Sequence, residues 1–495
     1  MATLTDFAEH GPLILLSNRE PYEHIRRGST IEVRQPAGGL VSALDPTMRR
    51  TSGIWVAWGS GSADRETSDE RGRVRVPPDD PSYTLHRVWL EDEHTEGYYQ
   101  GFANSALWPL CHMLIQHFQF RSEHWKSYRA VNERFALAVA EEADNAGADR
   151  AMVWIHDYHF GLVPAMLHRL VPKLFIHQFW HIPFPPPDLL RLLPVQVHDT
   201  LLRGLLGNDL LEFHTERYAV NFIDCVAAFV PEARVSPERL SINYEGRTIS
   251  VGAFPISIDF ERYESLALAE EGASRASLLR ERYARDGRQL GVCVDRTDYT
   301  KGIPERLRAL ELLWTEHPEL RSRVTFIVVA TPSRSELEAY RTLESEVVSL
   351  VMSINEHFGT ADWTPIVLIN ENIDAELLAG VYRAGDLCLV SSLQDGMNLV
   401  AKEFIACQTD ERGVLVLSRF TGAAEEIDDA VLINPFNVDG FMAGIVTALR
   451  MPADERRRRM RRMRERIRRA TIFDWLETIL MRARALMEKR SGARV

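Results

Sequence analysis

Two basic side chains, Arg296 and Lys301, stand five residues apart in the segment DRTDYTKG at residues 295–302. An apolar run precedes this segment, so the segment is expected to leave the end of a strand. Fixed Arg and Lys donors stabilise the negative charge that grows on a phosphate oxygen when a bond to that phosphate breaks, and they need no metal ion to do so. The spacing therefore predicts a site for a diphosphate leaving group. The alternative is a surface ion pair of these cations with Asp295 or Asp298.

The segment DGMNLVAKE at residues 395–403 follows another apolar run, and it predicts a strand, a polar turn and the start of a helix. Backbone N–H groups at the start of a helix can donate to an anion or to sugar hydroxyls. Asp395 would accept hydrogen bonds from those hydroxyls, and Glu403, two helical turns further, is placed to bind a ribose. The alternative is that Asp395 only caps the helix.

The segments HDYH at residues 156–159 and FWHIPFP at residues 179–185 each end a predicted strand. Asp157 is expected to bind or polarise an acceptor hydroxyl, and a role as nucleophile or base is the weaker interpretation. For His181 the alternative is a structural histidine. No metal site is expected, because no third and fourth ligand recur nearby.

Five further residues are candidates for binding a phosphate or a sugar phosphate. Arg19 follows the first predicted strand, and Gly39, in PAGGL at residues 36–40, permits close backbone approach to a phosphate unless it only forms a turn. Tyr99 and Trp108 belong to YYQGFANSALW at residues 98–108, which mixes aromatics with amides, although core packing would also explain the aromatics. Arg334, in TPSR at residues 331–334, would be a surface arginine if it had no phosphate to bind.

Short apolar runs followed by helix-period sequence indicate the elements that carry these residues. Such runs, without alternation, are typical of parallel strands covered on both faces by helices. They occupy residues 13–16, 152–155, 174–179, 210–213, 290–294, 324–329, 366–369, 387–390, 414–417 and 431–433. We therefore expect an α/β protein of two Rossmann-like doubly wound domains, residues 1–254 and residues 255–495 with the terminal helices. The domains should face each other across a cleft, with ligands at the carboxyl ends of the strands.

Composition narrows the class of protein. The chain has 495 residues and a formal charge of −12, which argues against general binding to nucleic acid. The arginine-rich segment 454–469 is interpreted as a solvated amphipathic helix, with RNA or an anionic membrane surface as the alternative partner. The five cysteines of the chain are scattered, which suits a reducing compartment. No signal or membrane-spanning segment is apparent. We expect a soluble, cytoplasmic protein.

Taken together, these motifs resemble the trehalose-6-phosphate synthase family, retaining glycosyltransferases of the two-Rossmann-domain (GT-B) type that also include glucosylglycerol-phosphate synthases. The resemblance spans roughly residues 12–480. It implies that Arg296 and Lys301 bind the donor diphosphate and Glu403 binds the ribose. It also implies contacts of Gly39 with the donor phosphates. The transferred glucose would contact His181, Asp395 and the amides of Gly396, Met397, Asn398 and Leu399. The acceptor sugar phosphate would contact Arg19, Trp58, Tyr99, Trp108, Asp157 and Arg334.

The same resemblance implies transfer of glucose from a nucleotide-glucose, with UDP-glucose favoured, to glucose 6-phosphate. The product would be α,α-trehalose 6-phosphate, formed with retention, and the leaving phosphate would take the acceptor proton. No cofactor or metal is expected, and the partners are small-molecule substrates, with a homo-oligomer left open. The segments REPY at residues 19–22 and WVAW at residues 55–58 lean instead toward glycerol 3-phosphate as the acceptor. A catalytically silent sugar-phosphate sensor is a second alternative.

Overall fold

The computed structural model describes residues 11–35, 39–147 and 150–492. Its contacts divide the chain into two compact units. The first contains the residues up to Pro255 together with those from Phe473 onward, and the second contains Ile256–Ile472. The carboxyl-terminal residues from Phe473 onward, which we expected in the second domain, therefore belong to the first. Their side chains explain the difference, because Trp475 donates to the Phe254 carbonyl and Arg482 to the Val251 carbonyl.

In the described part of the first unit, one mixed sheet forms the centre. Its strand order is β10-β11-β12-β9-β8-β7-β1-β4-β6-β5, with parallel pairing from β12 to β6 and antiparallel pairing at both edges. The strands, including a separate β2-β3 hairpin, are β1 Leu13–Arg19, β2 Glu23–Arg27, β3 Thr30–Arg34, β4 Ile54–Trp58, β5 Arg73–Val76, β6 Tyr83–Val88, β7 Met152–His156, β8 Phe175–Phe179, β9 Leu210–Phe213, β10 Arg234–Ser236, β11 Ser241–Tyr244 and β12 Arg247–Ala253.

Helices flank this sheet. The α-helices are Gly39–Thr51, Asp92–Thr95, Trp108–Cys111, Ser122–Ala146, Val163–Leu170, Pro187–Leu190, Val195–Leu205, Glu216–Phe229 and Ile472–Gly492, and the 3₁₀ turns are Ile115–His117, Tyr158–Phe160 and Pro237–Arg239. The segment Glu96–Leu107 is a π-helix, in which the Trp108 backbone N–H donates to the Ala103 carbonyl. π-Helical geometry is rare and frequently marks functional sites.

Within residues 256–472, all of which are described, six strands form a fully parallel sheet. They are β13 Gln289–Arg296, β14 Val324–Thr331, β15 Ile366–Ile369, β16 Leu387–Val390, β17 Val414–Ser418 and β18 Val431–Ile433. Their spatial order, β15-β14-β13-β16-β17-β18, is the 3-2-1-4-5-6 order of the Rossmann fold. The prediction of two doubly wound α/β units is confirmed.

The helices of the second unit cover both faces of its sheet. They are the α-helices Phe260–Leu268, Glu270–Tyr283, Ile303–Glu316, Glu338–Phe358, Ala375–Ala384, Leu399–Cys407, Val438–Arg450 and Ala453–Arg469, with the 3₁₀ turns Arg285–Gly287, Tyr299–Lys301, Pro318–Leu320 and Gly422–Glu425. No helix among the described residues has the length and apolar character needed to cross a membrane.

Candidate active site

Both cationic and acidic motifs of the second unit lie where the order of its strands reverses. Strands β13 and β16 are neighbours, with Gly291 opposite Leu387, and they lead to helices on either side of this point. In open parallel sheets, ligands bind outside the carboxyl ends of the strands at this switch point. The segment 295–302 leaves β13 and the segment 395–403 follows β16, so the sheet brings them together.

A direct ion pair joins the two motifs. Lys301 Nζ donates to Asp395 Oδ2 at 2.6 Å. The same carboxylate oxygen accepts from Asn398 Nδ2 at 3.1 Å and from Ser392 Oγ at 3.2 Å. The alternative of a local pair with Asp295 or Asp298 is therefore wrong for Lys301, whose partner lies 94 residues away in sequence.

Asn398, and not Asp395, caps the helix Leu399–Cys407. Its side-chain oxygen accepts from the Ala401 backbone N–H at 3.1 Å, and its φ of 87° turns the chain into the helix. Because the cap is supplied three residues later, the interpretation of Asp395 as a simple helix cap is wrong. The carboxylate of Asp395 lies instead beside Lys301, before the first helical turn.

The turn at residues 396–399 is fixed by packing on the segment after β17. The Met397 carbonyl accepts from the Ala423 backbone N–H at 2.8 Å, and the Asp395 carbonyl accepts from Gly422 at 3.2 Å. A Cβ at Gly422 would lie 2.1 Å from the Gly396 carbonyl oxygen, so only glycine allows this approach. Gly396 and Met397 are buried, and Leu399 begins the helix.

A buried ion pair positions the loop that carries the cations. Arg306, on the helix after that loop, donates to Asp295 Oδ2 at 2.5 Å and to Ser391 Oγ at 3.0 Å. The Ser391 hydroxyl donates in turn toward the carbonyls of Lys301 and Gly302. Gly302 has a φ of 61°, and a Cβ there would lie 2.3 Å from the Ser391 carbonyl oxygen. The end of β16 and the loop after β13 are thus locked together.

Arg296 and Arg334 lie near one carboxylate, that of Asp298. Arg334 Nη1 donates to Asp298 Oδ2 at 3.0 Å, and the Tyr340 hydroxyl donates to the same oxygen at 3.2 Å. Burial raises the pKa of Asp298, but the positive charges of Arg334 and Arg296 outweigh that effect, so the pKa lies below its ordinary value. Arg296 itself is exposed at the end of β13.

Glu403 forms a separate acidic position two helical turns beyond Asp395. Its two carboxyl oxygens accept from the hydroxyls of Tyr263 at 2.9 Å and Tyr382 at 2.8 Å. Burial raises the pKa of Glu403 above its ordinary value, although both hydroxyls oppose the shift. The neighbouring Lys402 is buried and donates to the Ile256 carbonyl at 2.7 Å.

The candidate residues of the first unit lie at the corresponding reversal of strand order, between β1 and β7. Arg19, at the exposed end of β1, is the register partner of Trp58 at the end of β4. The Ser17 hydroxyl donates to the Arg19 carbonyl at 2.6 Å and accepts from Trp55 Nε1 at 2.8 Å. The sheet thus brings together Arg19 and Trp58, two of the residues expected to contact the acceptor.

The π-helix presents the aromatic residues to the same edge. Tyr99 lies 6.2 Å from Trp58 and is stacked on His159 at 5.8 Å, measured between ring centroids. Trp108 is buried and lies 5.8 Å from Tyr158. The burial of Trp108 is explained by core packing as well as by contact with a ligand. Tyr99 is partly exposed, so its ring remains accessible to a ligand.

Asp157 has an unusual backbone conformation, with a φ of 75° and a ψ of 176°. Its Oδ1 accepts from the backbone N–H of Tyr158 at 3.0 Å and of His181 at 3.3 Å. Strained conformations of this kind persist where the surrounding structure over-determines them, and they cluster at functional sites. The hydrogen bonds join the ends of β7 and β8, and they bring Asp157 and His181 together as predicted.

His181 is paired with a second histidine. His156 Nδ1 lies 3.0 Å from His181 Nε2, and the two rings are stacked with centroids 5.3 Å apart. Burial holds the pKa of both rings well below the ordinary value, so both are neutral at pH 7. A neutral ring at this position can exchange hydrogen bonds with a sugar hydroxyl without carrying charge.

Gly39 begins the helix Gly39–Thr51, so the predicted helix start is present. The preceding residues 36–38 of the PAGGL motif lie outside the described residues. Among the described residues there is no group of three or more His, Cys, Asp or Glu side chains that could hold a metal ion.

Several contributors were missed at the sequence level. Tyr263, Tyr382 and His156 each contact a predicted site residue, and Arg306 contacts Asp295 in the segment that carries the two cations. The two tyrosines lie 140 and 21 residues from Glu403 along the chain, so no local spacing links them to it. Arg306 alone left a signal, as a charged residue on the otherwise apolar face of the helix Ile303–Glu316.

The sequence and the fold both match known proteins. The family model for glycosyltransferase family 20 matches residues 12–485. A bifunctional trehalose-6-phosphate synthase/phosphatase from Thermoproteus tenax is 38% identical over 94% of this chain, which spans 62% of that relative's length. An alpha,alpha-trehalose-phosphate synthase [UDP-forming] from Candida albicans is 35% identical over a match that covers 95% of this chain and 96% of the relative's length.

A solved structure gives the same result for the fold. The UDP-forming alpha,alpha-trehalose-phosphate synthase from Burkholderia xenovorans, crystallised in complex with glucose-6-phosphate, superposes with a TM-score of 0.83 at 31% identity. The match covers 96% of this chain and all of that one. The predicted family resemblance is confirmed: the chain belongs to glycosyltransferase family 20.

Proposed function

We propose that this glycosyltransferase transfers glucose from UDP-glucose to glucose 6-phosphate with retention, giving α,α-trehalose 6-phosphate and UDP. The observation that carries the proposal is the pairing of Lys301 with Asp395 at the switch point of the second sheet, next to Arg296. This arrangement places cations for a diphosphate and a carboxylate for sugar hydroxyls at one ligand-binding edge. The Candida albicans relative is named as UDP-forming, which favours UDP as the leaving group.

On the donor side, Arg296 and Lys301 stabilise the charge that develops on the UDP phosphate as the glycosidic bond breaks. Asp395 and the turn after it bind the glucose hydroxyls, and Glu403 binds the ribose. The Lys301–Asp395 pair has a second role, because each charge holds the other in place before the substrate arrives. Leaving-group stabilisation then falls to these side chains, and we propose that the reaction needs no metal or cofactor.

On the acceptor side, we assign Arg19, Trp58, Tyr99 and Trp108 to glucose 6-phosphate, with Arg334 as a further phosphate partner. Asp157 binds the acceptor hydroxyls and His181 contacts the transferred glucose. The phosphate oxygen released from the donor takes the acceptor proton, so the neutral His156–His181 pair is not required as a base. The glucose-6-phosphate complex of the Burkholderia relative supports this acceptor.

The residues that leaned toward glycerol 3-phosphate have structural partners of their own. Glu20 accepts from Arg87 Nε at 2.7 Å and from the Ser60 backbone N–H at 3.0 Å, and burial raises its pKa to about 9. The Tyr22 hydroxyl donates to Asp45 at 3.0 Å. Because these side chains are hydrogen-bonded in the interior, the segment REPY carries less weight for the choice of acceptor.

The silent-sensor alternative is disfavoured because the four donor-side residues are all present, namely Arg296, Lys301, Asp395 and Glu403.

One panel of assays tests the proposal. Purified full-length protein is given UDP-, ADP- or GDP-glucose with glucose 6-phosphate or glycerol 3-phosphate, and nucleotide release is measured. We expect the highest kcat/KM for UDP-glucose with glucose 6-phosphate, and an α,α-linked product by NMR. Turnover with glycerol 3-phosphate alone would establish the other acceptor, and the absence of turnover with every pair would favour the sensor.

One acceptor-side variant refines the same test. Arg19→Ala should raise the KM for glucose 6-phosphate about tenfold or more, because a charged hydrogen bond contributes about 1.5–3 kcal/mol. The KM for the nucleotide-glucose should stay unchanged.

We also place the reaction in the cytoplasm, which is supported by the five buried free thiols.

A further inference from the structure

The first unit has a cavity of about 390 Å³ at the edge of its sheet opposite to the candidate active site. It lies where β8, β9 and β12 begin, at Phe175, Asp209 and Arg247, and the last turns of the helix Ile472–Gly492 close its other side. Strand β8 runs from Phe175 at this cavity to Phe179, two residues before His181. At about 3.3 Å per residue, these two ends are about 13 Å apart.

The wall of this cavity carries an excess of positive charge. Arg247, Lys489 and Arg490 line it, against one carboxylate, that of Asp209. Asp209 is already used, since its Oδ2 accepts from Arg490 Nη1 at 2.7 Å and from the Ile176 backbone N–H at 2.9 Å. Glu245, outside the lining, is a second carboxylate that acts on Arg247, and two carboxylates still leave one of the three cations uncompensated, so the cavity has a net attraction for anions.

Arg247 provides directed donors that the protein leaves unused. Its Nη2 donates to the Leu206 carbonyl at 2.8 Å, but its Nε and Nη1 are buried and have no hydrogen-bond partner among the described residues. The nearest carboxylate oxygen, Asp209 Oδ1, lies 3.6 Å from Nη1. Buried N–H groups without a partner cost free energy, and burial lowers the pKa of this guanidinium. A bound oxyanion would reduce both penalties.

The remaining lining suits a small phosphorylated molecule. The hydroxyls of Thr248 and Ser250 lie at the start of β12, next to Arg247. Phe175 and Leu486 add an apolar wall. Lys489 is exposed at the rim and has no hydrogen-bond or ion-pair partner in the part of the chain that is described, so it can reach an incoming anion. Pockets of a few hundred Å³ with few placed polar groups are typical small-molecule sites.

We propose that this cavity is a second ligand site, separate from the active site, which binds the phosphate dianion of a small metabolite through Arg247 and Lys489. Arg247 contributes the N–H groups that the Leu206 carbonyl leaves unused, Nη1 and Nε, and a charged guanidinium donor binds phosphate more strongly than a neutral one. Arg490 stabilises the wall through its bonds to Asp209 and to the carbonyls of Pro172 and Leu174. The proposal does not depend on which sugars the enzyme transfers.

The test uses full-length protein and inorganic phosphate as the probe, titrated by calorimetry at constant ionic strength in chloride. We expect Lys489→Glu to weaken one phosphate-binding step at least tenfold, since a charge-assisted contact is replaced by repulsion. Arg247→Lys keeps the charge but removes the unpaired Nε and Nη1 donors, and it should weaken the same step. Lys126→Glu is the matched control, because Lys126 is an exposed lysine elsewhere on the same unit.

Folding is checked by the unfolding midpoint without phosphate, which Lys489→Glu should leave unchanged because Lys489 is an exposed rim residue. If Lys489→Glu and Arg247→Lys bind phosphate with the same stoichiometry and affinity as Lys126→Glu, the phosphate sites lie elsewhere and the proposal is wrong. The same holds if Arg19→Ala alone removes every phosphate-binding step.

Discussion

At the scale of single residues, charge compensation organises the donor side of the site. Lys301 and Asp395 neutralise each other, Asp295 is neutralised by Arg306, and Asp298 by Arg334. Arg296, at the exposed end of β13, is therefore the cation best able to turn its full charge toward a substrate. The two cations of the sequence motif thus differ in charge compensation, a difference that their spacing in the sequence does not indicate.

This difference leads to a prediction for Arg296→Gln and Lys301→Gln. Each should lower kcat for nucleotide release about 10²–10³-fold, because a fixed donor to the developing phosphate charge is lost. Arg296→Gln should leave the free energy of unfolding unchanged, whereas Lys301→Gln should lower it, since Asp395 loses the positive charge that Lys301 places beside it. Steady-state kinetics and urea unfolding measure the two effects, with Lys126→Gln as control. Wild-type kcat in both variants would contradict the role assigned to these cations.

The buried His156–His181 pair predicts a pH dependence of stability. The folded-state pKa of each ring lies below the unfolded value of about 6.5, so the unfolded chain binds more protons below that pH. The stabilising contribution is complete above about pH 6.5 and is lost as the pH falls. Each ring contributes a slope of about 1.4 kcal/mol per pH unit in this window.

The variant His156→Asn should reduce the slope of the free energy of unfolding against pH by up to about 1.4 kcal/mol per pH unit, which corresponds to one proton. Urea unfolding between about pH 5 and about pH 7.5 measures it. The surface histidine His317, which lies beside Glu319, supplies the control variant His317→Asn. An unchanged slope in His156→Asn would show that this ring titrates normally in the folded protein.

At the scale of elements, the arginine-rich helix Ala453–Arg469 illustrates how composition misleads about partners. Most of its arginines pair with acidic residues of the same unit, among them Glu411, Asp429 and Glu264. One of them, Arg464, is buried and donates to the carbonyls of Ile405 and Ala406 as well as to Glu264. The helix Ala453–Arg469 therefore packs against the helix Leu399–Cys407 and stabilises it through Arg464. Ion pairs within the unit compensate much of the positive charge that would otherwise attract RNA.

Arg464→Ala is expected to lower the free energy of unfolding by about 3 kcal/mol, because it leaves carbonyls and a carboxylate without their buried partner. Arg458 lies on the same helix, is exposed and has no partner among the described residues. Arg458→Ala should change stability by less than about 0.5 kcal/mol. Chemical denaturation of the two variants makes the comparison, and equal effects would mean that helix charge, rather than the buried contacts, stabilises this element.

At the scale of the whole molecule, the chain returns to its first unit after completing the second. Trp475 packs on Trp154 and Phe179, with ring centroids 5.8 and 5.1 Å apart, and its ring lies 6.4 Å from that of His181. The last helix thus completes the core beneath the candidate acceptor site. Stability of the first unit should depend on residues more than 200 positions away from it in sequence.

Trp475→Ala should therefore destabilise the first unit by about 3–5 kcal/mol, the cost of removing a buried tryptophan. Trp363, buried in the second unit and bonded to the Val324 carbonyl, supplies the matched variant Trp363→Ala. Hydrogen exchange followed by peptide mass spectrometry should show faster exchange in first-unit peptides for Trp475→Ala and in second-unit peptides for Trp363→Ala. Faster exchange of the second unit in Trp475→Ala would contradict the assignment of the last helix.

The sequence by itself determined the two doubly wound units and the family. Strands covered on both faces are uniformly apolar, so β9, β15, β16 and β18 were predicted with their observed bounds. The strands of the separate hairpin, β2 and β3, carry many polar residues and left no such pattern. The motifs at strand ends located most of the candidate site, because parallel sheets gather those ends at one edge.

Only the tertiary structure decided which side chains meet. The pairing of Lys301 with Asp395, of His181 with His156 and of Glu403 with its two tyrosines joins residues 21 to 140 positions apart. Hydrogen bonds and ion pairs depend on distances of a few ångströms, which the order of strands in the sheet sets and local spacing does not. The return of the last helix to the first unit has the same origin, since its contacts form only once that sheet is folded.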